Sequence, residues 1–147
     1  MPWIASPAVN YVATQPGPWG AAVAFAAEVL MTFLLMTMVL QVSNHPRWSR
    51  YTGLCVGLTV ALYITIEDPL SGMSMNPARS FAPALFAGTS KSLWIYFIAP
   101  PLGMLLGAEA FVRSSPLHRV FCAKLHHHTG ARCIFNCRFG DMSEEVS

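Results

Sequence analysis

Charge is what this chain has least of. Lysine and arginine together number 9 and aspartate and glutamate 7 in 147 residues. Charged side chains therefore make up 11%, where a soluble domain carries roughly a quarter. Apolar residues reach 54% and the mean hydropathy is +0.45, which excludes a lone soluble domain and points to lipid. Nucleic acid is not an expected partner. Met1–Gly20 carries no charge at all; without a basic start there is no signal-peptide pattern. That stretch, with its Pro, Gly and Trp, reads as a surface loop on the outer side. A nucleophile paired with a base is also missing, as is a Gly-rich phosphate loop, so the chain is read as a non-enzyme. Cysteines number four, and the one in an apolar run, Cys55, reads as packing. The length allows one domain.

What the chain does have is long apolar runs. Ala21–Val42 is long enough to cross a bilayer, and its only ionisable residue is Glu28. Small residues (Ala21, Ala22, Ala24, Ala26, Ala27) crowd its first half and suit close helix contact. A carboxylate at that depth must face the bundle interior. Glu28 is then either a pore or proton-relay group, or a brace accepting backbone N–H groups of a neighbouring non-helical loop; the second is preferred, because irregular backbone at membrane depth needs partners. After a polar turn, Ser43–Arg50, comes a second run, Tyr51–Ile66, with Gly53, Gly57 and Thr59 for close packing, stopped by Glu67-Asp68-Pro69. Leu93–Val112 is a third span, with a kink expected at Pro100-Pro101 and Trp94 and Tyr96 at its interfacial start.

Between the second and third spans lies Ser71–Gly88, SGMSMNPARSFAPALFAG. Asn76 is a strong N-cap and Pro77 suits the first helical position, so a helix should start at Pro77 and stop at Gly88. Such a helix crosses only about half of a ~30 Å hydrocarbon core. Its N-terminal end, with partial positive charge and free N–H donors, points into the membrane. Arg79 beside it is costly in hydrocarbon unless it faces a wet path or snorkels outward; the wet path is preferred. The Arg47–Arg50 turn and the tail after Arg113 are rich in Lys and Arg, and the leading loop has neither. The charge rule thus puts the Met1 loop outside, the Arg47 turn inside, the Asn76 loop entering from outside, and the tail in the cytoplasm, as in a multi-pass protein of the plasma (inner) membrane.

NPARSFAPALFAG, preceded by GLTVALYITIEDPLSGMSM and followed by LWIYFIAPPLGMLLGAEAF, resembles the C-terminal half of aquaporins, the major intrinsic protein family. The resemblance runs from the Ala21 span to about Val112. It implies an all-α membrane fold: an aquaporin-like half over residues 21–113, with three transmembrane helices and one re-entrant half-helix opening at the Asn-Pro-Ala motif. It also implies a channel for water and small neutral solutes that excludes ions and protons and needs no cofactor. Asn76, Pro77 and Ala78 then form the motif whose Asn donates to passing solute, and Arg79 guards the outer constriction. By spacing, Ile64 and Met73 take two further constriction positions, an apolar pair that leaves pore width to side-chain bulk. Ser80, Ala84, Tyr96 and Phe97 match the water-channel class instead of the glycerol facilitators, and Glu28 matches the family's buried glutamate that braces the re-entrant loop.

The family carries six spans and two Asn-Pro-Ala motifs, and assembles as tetramers of complete channels. No second such motif and no internal repeat is visible in this chain. The expectation is therefore a C-terminal fragment, or half of a split channel, completed by a missing N-terminal half or a partner chain. The tail, 114–147, is a separate feature. Cys122, His126, His127, His128, Cys133 and Cys137 cluster there, and in a reducing compartment such residues either wrap zinc or stand in a disordered tail. The alternative to a channel is a non-conducting truncated membrane protein whose only activity is metal binding by that tail.

Overall fold

The computed structural model describes residues 6, 10–45 and 47–114. Among them are four α-helices: α1 (Ala21–Ser43), α2 (Thr52–Ser71), α3 (Pro77–Ala87) and α4 (Leu93–Ser114). Short 310 turns precede α1 at Asn10–Val12 and α2 at Ser49–Tyr51. Residues 21–43, 49–66 and 93–114 are each long and apolar enough to cross a membrane. At ~1.5 Å per residue α1 is about 34 Å long and α3 only about 16 Å. The architecture is the all-α half expected from the resemblance, three spans and one half-length helix.

α1 is the hub, packing most extensively along α4 and less on α2, while α3 rests on α4 and on the Asn10–Val12 turn. Two glycines explain the closeness of α1 and α4. A Cβ added at Gly103 would collide with the Thr32 hydroxyl and the Val29 carbonyl, and one at Gly107 would lie 2.7 Å from the Phe33 carbonyl. Thr32 and Thr37 fold their hydroxyls back onto the Glu28 and Phe33 carbonyls at 2.7 and 2.8 Å, so their polar groups cost nothing at the contact. Small residues one turn apart with threonines opposite are how helices approach in lipid, where hydrophobic drive between them is absent. A small core of Ile95, Tyr96 and Ala99, covered by Phe25 and Val29, continues the seam.

Gly53 and Gly57, expected to support close packing, instead have nothing within 4 Å of an added Cβ, because α2 touches the rest of the described chain mainly through α1. This contrast gives a test. Gly103→Ala is expected to destabilise the chain by about 1–3 kcal/mol through overpacking, and Gly53→Ala to stabilise it by about 0.5–1 kcal/mol through backbone entropy. Resistance to detergent-driven unfolding should order the variants Gly53→Ala, native, Gly103→Ala.

One boundary departs from the sequence reading. α2 runs on through Pro69 to Ser71 instead of stopping at Glu67-Asp68-Pro69. A proline this near a helix end removes one backbone donor and leaves few turns to disturb, and the exposed carbonyls find outside donors: Leu70 O accepts from the Gly17 N–H at 2.9 Å and Ser71 O from the Tyr96 hydroxyl at 2.6 Å. α4 runs from Leu93 to Ser114 with Pro100 and Pro101 inside it, the third span read from the sequence. α3 begins at Pro77 and closes on Gly88, which takes the left-handed conformation (φ 65°).

Candidate functional site

The site is built outward from Glu28. This carboxylate has no exposed surface and collects three donors from the last residue of α2 and the loop that follows it. The Ser71 hydroxyl donates to Oε1 at 2.7 Å, the Ser74 N–H to Oε1 at 2.6 Å, and the Met75 N–H to Oε2 at 2.8 Å. The Met73 N–H donates to Ser71 Oγ at 3.1 Å. These are the contacts that a brace would make.

The brace is needed because the loop is strained. Gly72, Met73 and Met75 have φ of 75°, 45° and 53°, and a non-glycine residue in that region costs about 1–2 kcal/mol. A hydrogen bond contributes about 0.5–1.5 kcal/mol net, so three of them together offset two left-handed methionines. The bracing also orients the backbone. With no cis peptide bond among the described residues, the carbonyls of Gly72, Met73 and Ser74 point opposite to the N–H groups that follow them. They therefore face away from Glu28 and Ser71 as a row of acceptors.

The loop is then locked to α3. Ser74 Oγ donates to the Asn76 carbonyl at 3.0 Å and lies 2.6 Å from Ser80 Oγ. Asn76 is extended (φ −147°, ψ 119°), and its side-chain oxygen accepts from the Ala78 N–H at 2.9 Å. This cap decides which end of the carboxamide is committed: the oxygen is turned to the helix and the amino group is left outward on an exposed side chain. Pro77 has no N–H to satisfy, so the start of α3 carries an outward donor and the positive end of the helix together.

Arg79 is exposed on the first turn of α3 and has no ion-pair partner among the described residues, where the ion pair is Arg113 with Glu109. Ile64 is half exposed, whereas Met73 is only 4% exposed, its side chain packed within the described half. Counting back from Arg79 locates both positions but cannot register the left-handed turns at Gly72 and Met73 that decide direction. Ser80, Ala84 and Tyr96 are buried, and Phe97 stands edge-on to Phe81 at 6.2 Å. The leading segment reaches the site too: Tyr11 stacks on Phe86 at 6.2 Å, Thr14 is buried, and Gly72 abuts the Gln15 backbone.

Ser71, Ser74 and the Tyr96 hydroxyl are the parts that reading the sequence missed. The signal was present in Ser71-Gly72-Met73-Ser74, two hydroxyls flanking a glycine in a loop at membrane depth, where each must pair with something. Among the described residues no three His, Cys, Asp or Glu side chains gather into a metal-sized group. The tail candidates Cys122, His126, His127, His128, Cys133 and Cys137 lie outside the described residues.

Comparison with known proteins follows the same stretch. The profile of the family described as Major intrinsic protein matches residues 6–111. Glycerol uptake facilitator protein-like 6 of Lactiplantibacillus plantarum is 41% identical over 92 residues, covering 60% of this chain and 43% of that protein. Aquaporin NIP3-1 of Arabidopsis thaliana is 40% identical over 102 residues, covering 69% and 31% respectively. Nodulin-26 of Glycine max is 41% identical over 89 residues, covering 60% and 33%. The chain thus spans less than half the length of each of these relatives.

Proposed function

The chain belongs to the major intrinsic protein family, and from that premise we propose that it forms one half of a transmembrane channel passing water and small neutral solutes while excluding ions and protons. The observation that carries the reading is the Asn76 carboxamide, pinned by its oxygen to the Ala78 N–H so that its amino group is offered outward at the start of a half-length helix. A water molecule there can accept from Asn76 while its hydrogens donate to the loop carbonyls on the side away from Glu28. Holding the water oxygen toward Asn76 breaks the donor chain a migrating proton would follow, and the helix end opposes any cation. Arg79 adds a fixed positive charge at the outer constriction and Ile64 limits width there, while Met73 acts through the loop it packs beneath.

Ser80, Ala84, Tyr96 and Phe97 favour water over glycerol as the main solute, although the relatives carry both aquaporin and glycerol-facilitator names. Three spans and one half-helix cannot enclose a pore, so in this reading a missing N-terminal half or a partner chain supplies the opposite wall, and complete channels assemble as homotetramers. The chain sits in the plasma (inner) membrane with the Arg47 turn and the tail toward the cytoplasm. The competing reading, a non-conducting protein whose tail binds metal, rests on Cys and His spacing alone. Stoichiometric zinc binding by a chain that adds no permeability would favour it.

The test is an osmotic step applied to vesicles holding the chain alone or together with the N-terminal half of a relative. Water flow above that of empty vesicles, lost in Asn76→Leu, is the expected result. Flow equal to empty vesicles in both preparations overturns the proposal.

A further inference from the structure

At the start of α2, Arg47, Trp48, Arg50 and Tyr51 rim a cleft of about 650 Å³ whose floor includes Leu54 and Leu58. The Arg50 guanidinium lies over the Tyr51 ring at 4.7 Å, and Trp48 packs against Tyr51 with centroids 6.0 Å apart. Neither arginine has a carboxylate partner among the described residues. Leu54 and Leu58 are 62% and 64% exposed, and with Tyr51 they share one helical stripe. The stretch 49–66 is long and apolar enough to cross a membrane, so the cleft opens at one end of a span.

We propose that this cleft binds an anionic phospholipid, its phosphate held by Arg47 and Arg50 and an acyl chain laid along Leu54 and Leu58. The order of chemistry leading into α2 argues for a lipid: two arginines without a carboxylate partner among the described residues, interleaved with the aromatic pair Trp48 and Tyr51, then alkyl side chains. This is the order of a leaflet from headgroup through interface to hydrocarbon. Guanidinium groups match phosphate with paired N–H donors, and the Tyr51 ring holds Arg50 ready for it. A free phosphate would satisfy the arginines and leave the apolar floor unused. The proposal rests on α2 lying in a membrane and is independent of whether the chain conducts.

The experiment places the full chain in phosphatidylcholine vesicles doped with chain-brominated phosphatidylglycerol or, separately, chain-brominated phosphatidylcholine. Trp48 quenching is read as the difference between the native chain and Trp48→Phe. The anionic lipid is expected to quench Trp48 at roughly tenfold lower mole fraction than the zwitterionic one. That preference should fade as salt is raised and vanish in Arg47→Gln/Arg50→Gln, while inorganic phosphate leaves it unchanged. Equal quenching by the two lipids overturns the proposal, as does a preference kept by the double variant. Displacement by inorganic phosphate marks a free-anion site, and a preference that emerges only when 115–147 are removed assigns the cleft to the tail; either result also overturns it. Should the double variant fail to insert, the salt dependence of the native chain decides.

Discussion

Glu28→Ala is expected to undo the re-entrant loop and with it the folded state of the chain. The substitution strips partners from a serine hydroxyl and the N–H groups of Ser74 and Met75. Each buried donor left unpaired costs about 1–3 kcal/mol, and the sum, about 3–9 kcal/mol, rivals the ~5–15 kcal/mol that holds a typical domain together. Glu28→Gln is the sharper variant. Its shape is conserved, but one oxygen becomes an amino group. Whichever way the amide turns, that group meets a backbone N–H, of Ser74 on one side or Met75 on the other. A loss of about 1–3 kcal/mol is expected, read as easier detergent unfolding and faster proteolysis between α2 and α3. A Glu28→Gln chain as resistant as the native one would show that the loop is not held by this carboxylate. A proton-relay role makes the opposite forecast: stability kept and proton flux changed.

Arg79→Val is expected to leave water flow nearly intact while opening the channel to cations and larger polar solutes. A unit charge facing a permeating cation at ~4 Å is worth about 4 kcal/mol at an effective dielectric of ~20. Its removal should therefore raise cation leakage at least tenfold. Water needs only width and a few donors, and Asn76 still supplies one. Vesicle swelling, glycerol uptake and proton flux on the assembled channel measure this together. A variant as tight to ions as the parent would remove Arg79 from the filter without touching the role of Asn76, which the Asn76→Leu comparison tests separately.

Much of the site was legible along the chain because its signals are local. A helix start needs only a cap and a proline, and Asn76-Pro77 supplied both; a helix end at a left-handed residue needs only glycine, and Gly88 supplied it. The misreadings are non-local. Pro69 looked like a stop because propensity says so, yet α2 continues because Gly17 and Tyr96, distant in sequence, supply donors to its last carbonyls. Gly53 and Gly57 looked like packing glycines, while the contact is made by Gly103 and Gly107, since the glycine that matters is the one with a neighbouring backbone against it.

By itself the sequence determined the medium, the spans and the half-helix. Composition, run length and caps depend on each residue and its near neighbours, and lipid leaves few alternatives for a chain this apolar. Only the tertiary structure decided which donors meet Glu28, which end of the Asn76 amide is offered outward, and that Met73 packs inward. Those depend on which groups from α1, the loop, α3 and α4 come within hydrogen-bonding distance. A buried carboxylate can relay or brace, and the three donors that close around Glu28 are the contacts a brace requires.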